Sequence, residues 1–115
     1  MTSMQFEGMD HMSRIYNKLV RDKIPEIIES SGRHCSIEVL PDDEYLRFLD
    51  IKLGEELDEY QKDKTIEELA DLLEVIRAVV VARGYTFEEL EAIRAIKAHE
   101  RGGFEKRILL KEVQG

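Results

Sequence analysis

Apolar residues recur at helical spacing through most of this chain and alternate at strand spacing in only two short stretches. At about 100° per residue, Leu46, Leu49, Leu53, Leu57 and Tyr60 fall on one arc, and Leu72, Val75, Ile76, Val79 and Ala82 fall on another. The first arc predicts a long helix from Asp42 or Asp43 to about residue 61, and the second a helix from Thr65 to about 83. A shorter helix is expected to open at Asp22, with Pro25 in its first turn, and to stop near Ser31 before Gly32. A last helix starts at Thr86 and runs to about 99, where Arg101-Gly-Gly103 breaks it. Residues 15–20 read as extended. Cys35-Ser-Ile-Glu-Val-Leu40, closed by Pro41, alternates like a strand, and so does 104–113, so the two are expected to pair. The fold class that follows is mainly all-α: a four-helix core with a small two-stranded β element.

Local signals fix how the two long helices meet. Thr65-Ile-Glu-Glu68 and Thr86-Phe-Glu-Glu89 both have the capping-box pattern, and Gly84 is placed to end the third helix. Lys62-Asp-Lys64 leaves room for a tight turn only, so the second and third helices are expected to form an antiparallel hairpin.

That hairpin gives four acidic residues an unusual position. Glu56 lies inside the apolar arc of the second helix with Glu59 at its edge, and Glu68 lies inside the arc of the third with Asp71 on its flank. Glu55, Asp58, Glu67 and Glu74 are expected to point outward. Ionised carboxylates facing one another away from water repel and lose hydration unless a cation lies between them. The four acids therefore predict a divalent-metal site. Glu68 taken alone is better explained as the third residue of a capping box than as a ligand, but Glu56, Glu59 and Asp71 have no capping role. Lys52, one turn before Glu56, is placed to be a neighbour of the site or a simple salt-bridge partner.

Length and composition narrow the class. The chain has 115 residues, enough for one domain over 15–115 with a modest core. Residues 1–14 carry Glu7 and Asp10, no basic flank and no apolar run, and read as a disordered leader rather than a secretory signal. With 43% hydrophobic and 37% charged residues, the composition is that of a helix-rich globular protein, and no apolar run is long enough to span a membrane. A single cysteine, Cys35, excludes an intrachain disulfide and suits a cytoplasmic location. The net charge of −8 argues against a broad nucleic-acid or anionic-membrane surface but leaves room for a nucleotide held through a metal. His34, His99 and Cys35 are too scattered for a zinc site, and no glycine-rich phosphate loop occurs.

The acidic pairs carry a resemblance. Lys52-Leu-Gly-Glu-Glu-Leu-Asp-Glu59, followed by Glu67-Glu-Leu-Ala-Asp-Leu-Leu-Glu-Val-Ile76, resembles the paired E-x-x-E and E-x-x-D motif of the MazG-like, all-α nucleoside triphosphate pyrophosphatases. Tyr16-Asn-Lys-Leu-Val-Arg-Asp-Lys-Ile-Pro25 resembles a subgroup described as phosphoribosyl-ATP pyrophosphohydrolase-like. The resemblance implies Mg²⁺-dependent hydrolysis between the α and β phosphates, giving a nucleoside monophosphate and pyrophosphate, with Mn²⁺ as an alternative metal. It implies Glu56, Glu59, Glu68 and Asp71 as metal ligands, with Glu56 or Glu59 also serving as the catalytic base. It also implies a homodimer or higher homo-oligomer, which the small core and the broad apolar face around Val79, Val80 and Val81 make reasonable.

A pyrophosphate leaving group calls for positive charge. Lys97, Arg101, Lys106 and Arg107 cluster near the end of the last helix, and Phe104-Glu-Lys-Arg107 resembles the aromatic and basic C-terminal segment of the family. Gly103 stands where relatives carry a basic residue, so the membership of this clamp differs here. Lys18 and Arg21 join the phosphate candidates by resemblance of the N-terminal stretch. Tyr16, Tyr45, Phe48 and Tyr85 are the aromatic residues a base would stack on. Two other functions remain open on the sequence: a phosphoribosyl-ATP pyrophosphohydrolase of histidine biosynthesis, and a non-enzymatic helical interaction module.

Overall fold

Four helices account for the ordered secondary structure: α1 Ile24–Ser30, α2 Asp42–Asp63, α3 Ile66–Ala82 and α4 Phe87–Arg101. The computed structural model describes residues 13–115, so the leader expected over 1–14 falls outside the described residues except for the exposed Ser13 and Arg14. The chain is all-α among these residues, and none of its helices is long and apolar enough to cross a membrane.

Each helix boundary has a local cause. Pro25 sits in the first turn of α1, where its missing N–H costs nothing. Asp42, Asp43 and Glu44 fill the first turn of α2 and face the positive end of its dipole, although Pro41 at the N-cap supplies no side-chain cap. α2 runs to Asp63, two residues past the expected end, and Lys64 stops it in the left-handed conformation (φ 59°) with its N–H on the Tyr60 carbonyl at 2.7 Å. α3 closes through Gly84 (φ 92°), and Tyr85 N–H returns 3.0 Å to the Val80 carbonyl, the long bond of a Schellman ending.

The two Thr-x-x-Glu starts, alike in sequence, differ in structure. Thr86 accepts from Glu89 N–H while the Glu89 carboxylate accepts from Thr86 N–H, both at 3.1 Å, which completes a capping box. Thr65 accepts from Glu68 N–H at 3.2 Å, but the Glu68 side chain does not return to cap the backbone.

Packing centres on the hairpin. α2 lies antiparallel along α3, tied at its far end by Arg83 and Asp50 at 3.2 Å. α4 touches α3, where the Arg77 guanidinium lies 4.6 Å from the centre of the Phe87 ring. The apolar core within one chain is thin. Among the described residues Ile24, Ile28 and Leu49 are its fully buried apolar members, and α3 buries no residue completely despite its run of aliphatic side chains.

The two-stranded β element is a correction to the sequence reading. No strand occurs among the described residues, and the two alternating segments leave their apolar side chains in solvent, with Val39 89% and Phe104 96% exposed. Alternation makes a strand only where a neighbouring strand accepts its backbone hydrogen bonds. Cys35 N–H instead donates to the Glu29 carboxylate at 3.0 Å.

The capping box yields a stability prediction. Thr86→Ala removes the acceptor for Glu89 N–H and leaves the returning carboxylate without its reciprocal bond, so chemical denaturation at fixed protein concentration should show a loss of about 1 kcal/mol. A change within experimental error would mean that the start of α4 contributes nothing to stability.

Candidate metal centre

The site lies where the C-terminal half of α2 faces the first turns of α3. Glu56 and Glu59 project from α2, and Glu68 and Asp71 from α3. Carboxylate oxygens of Glu56, Glu68 and Asp71 lie within 4.8 Å of one another, and so do those of Glu59, Asp63 and Glu68. Glu68 belongs to both groups. The structure thus brings together all four acids singled out from the sequence and adds Asp63, from the last turn of α2, which lies at i,i+4 from Glu59.

Burial separates Glu56 from an ordinary charged surface, while Glu59, Glu68 and Asp71 are half-buried and Asp63 is exposed. Glu56 is only 6% exposed, more deeply buried than the Leu57 beside it. Its Oε1 lies 3.5 Å from Lys52 Nζ, whereas its Oε2 is buried with no hydrogen-bond partner. Glu68 Oε2 is likewise buried and unpartnered. Desolvation, reinforced by the charges of Asp71, Glu59 and Asp63, pushes the Glu68 carboxyl above its ordinary range. Two orphaned carboxylate oxygens at one inter-helix surface are a cost that a cation would relieve. All the donors are hard oxygens, the type that suits Mg²⁺ or Mn²⁺ and not a soft metal.

Positive charge reaches this region from two places. Arg21, on the stretch before α1, donates from Nη2 to Asp71 Oδ1 at 2.7 Å. Lys18 and Lys52 line a shallow open cavity together with Glu55, Glu56, Asp58 and Glu59. Glu55 and Asp58, expected to point away, belong to neither acidic group; Asp58 is exposed at the rim of this cavity and Glu55 is half-buried on it. Lys52 lies 3.6 Å from Glu55 as well as close to Glu56, which draws both acids to one side of α2.

The remaining phosphate candidates stand elsewhere. Lys97, Arg101, Lys106 and Arg107 are exposed, none of them lines the cavity, and none pairs with the four acids of its own chain. The aromatic candidates are dispersed as well. Tyr16 is half-buried on the N-terminal stretch, with Lys18 Nζ 5.8 Å from its ring centre; Tyr45 and Phe48 lie on the first half of α2, and Tyr85 is exposed after α3.

Comparison with known proteins adds one partial match. A protein from Mycolicibacterium smegmatis described as uncharacterized is 52% identical over 48 residues, which cover 42% of this chain and 49% of that protein. The chain therefore spans about half the length of the curated relative it matches. No family model matches the chain, and no solved structure matches it.

The raised Glu68 carboxyl predicts a pH dependence. Because its folded value lies above its ordinary value of 4.5, the folded chain holds this proton more tightly than the unfolded chain does. The contribution of Glu68 to stability is then largest in acid and is lost as pH rises through the window just above 4.5. In metal-free buffer, denaturation across that window should show the Glu68→Gln variant gaining stability relative to the parent as pH increases. A constant difference between the two would show that Glu68 titrates normally.

Proposed function

We propose that this chain is a Mg²⁺-dependent nucleoside triphosphate pyrophosphohydrolase with a MazG-like helical core, cleaving between the α and β phosphates and working as a homodimer or higher homo-oligomer. The observation that carries the reading is the buried, half-unpartnered Glu56 set against Glu68 and Asp71 within 4.8 Å. A solvated acidic face has no reason to bury a carboxylate oxygen without a partner, and an interaction module has no use for one.

In this reading Glu56, Glu68 and Asp71 hold the cation, and Glu59 and Asp63 extend the same acidic wall through the shared Glu68. A Mg²⁺ ion held there would supply positive charge to a substrate's phosphates and to the departing pyrophosphate. Lys52 holds the Glu56 carboxylate through Oε1, which leaves Oε2 without a partner. Glu59 is half-buried on the cavity wall and is not paired to Lys52, so it is the better placed of the two catalytic candidates to take the proton of an attacking water. Lys18, on the cavity wall, faces the polyphosphate. Arg21, bonded to Asp71 at the edge of the cluster, would place positive charge near a bound polyphosphate. The free thiol Cys35 suits a reducing, cytoplasmic setting.

Two measurements test this. Millimolar Mg²⁺ should raise the melting temperature of the parent chain, and Glu56→Gln, which keeps the shape but removes the charge, should abolish that rise. A parent chain indifferent to Mg²⁺ and Mn²⁺ would remove the metal from the reading. Pyrophosphate release from ribo- and deoxyribonucleoside triphosphates should require the metal, yield the monophosphate, and fall at least about 100-fold in Glu56→Gln and in Asp71→Asn, since even outer-shell changes at metal sites cost 10- to 100-fold. Release from phosphoribosyl-ATP alone would transfer the same chemistry to histidine biosynthesis.

A further inference from the structure

Lys52 keeps only 14% of its side chain exposed, and a lysine withdrawn so far from water needs its charge paired. Its Nζ stands 3.6 Å from Glu55 Oε1 and 3.5 Å from Glu56 Oε1. Both separations exceed the length of an N–H hydrogen bond, about 2.7–3.2 Å. An ordinary helix pair on the same chain behaves differently. Arg94 closes hydrogen bonds of 2.6, 2.8 and 3.0 Å on Glu91, and both side chains are more than half exposed. Lys52 feels the charge of its two acids at a distance, and its three N–H groups remain for another acceptor.

The space beside Lys52 decides which acceptor fits. The cavity encloses about 160 Å³, and all six residues of its wall, Lys18, Lys52, Glu55, Glu56, Asp58 and Glu59, are charged. Pockets that take a whole drug-sized ligand measure about 300–1,000 Å³ and are mostly apolar. A nucleobase therefore finds neither room nor a stacking face here, whereas a phosphate group is small and accepts strongly from an ammonium. Four carboxylates against two ammonium groups would by themselves repel an anion, so a phosphate settles there only together with a cation. Glu56 stands both on this wall and in the acidic group with Glu68 and Asp71, so the cavity and the candidate metal position adjoin through one side chain. Of the two lysines, Lys52 is the better fixed. It projects from the middle of α2 between two carboxylates, whereas Lys18 stands on a stretch without secondary structure. A group already held in place loses little freedom on binding.

We propose that Lys52 is a substrate-binding residue whose Nζ donates to a phosphate oxygen, and that the cavity it lines takes the phosphate chain of the substrate and leaves the base outside. The nature of the substrate rests on the hydrolase reading above. The match between an under-bonded ammonium and a small, wholly charged cavity does not.

Inorganic pyrophosphate in saturating Mg²⁺ is the probe, because it offers phosphate and no base. Calorimetry should show the parent chain binding it and Lys52→Met weakening it at least about tenfold, the least that losing a hydrogen bond to a charged group costs. Lys52→Arg should restore most of the affinity. Mn²⁺ binding without pyrophosphate, followed by electron paramagnetic resonance, should change less in Lys52→Met than pyrophosphate binding does. A second measurement needs no variant: acetylation of the parent, read by mass spectrometry, should slow at Lys52 when pyrophosphate joins Mg²⁺ and stay constant at Lys62, exposed in the last turn of α2. Pyrophosphate bound equally well by Lys52→Met, or a parent that binds none, would overturn the assignment. So would equal losses of Mn²⁺ and pyrophosphate affinity, which would confine Lys52 to steadying Glu56. A parent that hydrolyses triphosphates without protection of Lys52 would leave the hydrolase standing and remove this subsite. Protection of Lys52 by pyrophosphate in a chain that hydrolyses no triphosphate would do the reverse.

Discussion

Only Lys64 and Thr65 separate α2 from α3, and that shortness governs everything around the acidic cluster. A left-handed Lys64 reverses the chain in one step, and the next residue already caps the following helix. Two helices so joined have to pack side by side and antiparallel, and residues at similar distances from the turn then face one another. Glu59 and Asp63 on one side meet Glu68 on the other, and one turn further out Glu56 meets Glu68 and Asp71. Longer linkers would leave the register to side-chain packing alone, which is weak here because α3 buries none of its residues completely. The acidic site is thus a consequence of turn length before it is one of chemistry.

Bringing like charges together in this way works against the fold. Glu56 is buried beside Lys52, which offsets part of the cost, but one oxygen of Glu56 and one of Glu68 remain unpartnered. Leaving a buried acceptor unsatisfied typically costs on the order of 1–3 kcal/mol, a sizeable part of the net stability of a small domain. The contrast between Glu68 and Glu89 shows that the cost is not imposed by local structure. Both stand third in a Thr-x-x-Glu helix start, and Glu89 uses its carboxylate to close the box. Glu68 forgoes that bond and lies among four other acids, an arrangement that fits a protein prepared to receive positive charge at that point.

Helical periodicity made the four helices and the inward direction of Glu56 legible, because both depend on residues within one or two turns of each other. The same wheel kept Glu55 and Asp58 out of the acidic groups, but it assigns direction from backbone angle alone and did not foresee that Lys52 holds Glu55 at 3.6 Å and leaves it half-buried. Asp63 was hidden because α2 continues through what looked like a turn. The contact between Arg21 and Asp71 spans fifty residues, and no local pattern encodes it. Alternation at 35–40 and 104–113 reported a tendency to extend but carried no information about a partner strand.

Those unpaired segments and the thin core are two sides of one shortage. The sequence is 43% hydrophobic, an ordinary share for a protein with a real interior. Yet within one chain the fully buried apolar residues, among those described, are Ile24, Ile28 and Leu49. Few of these side chains find full cover among the described residues, a shortage that the proposed homo-oligomer would relieve. A partner that also covered the acidic residues would remove water from around the carboxylates, and in a drier site each charge of the cluster would act more strongly on a bound cation.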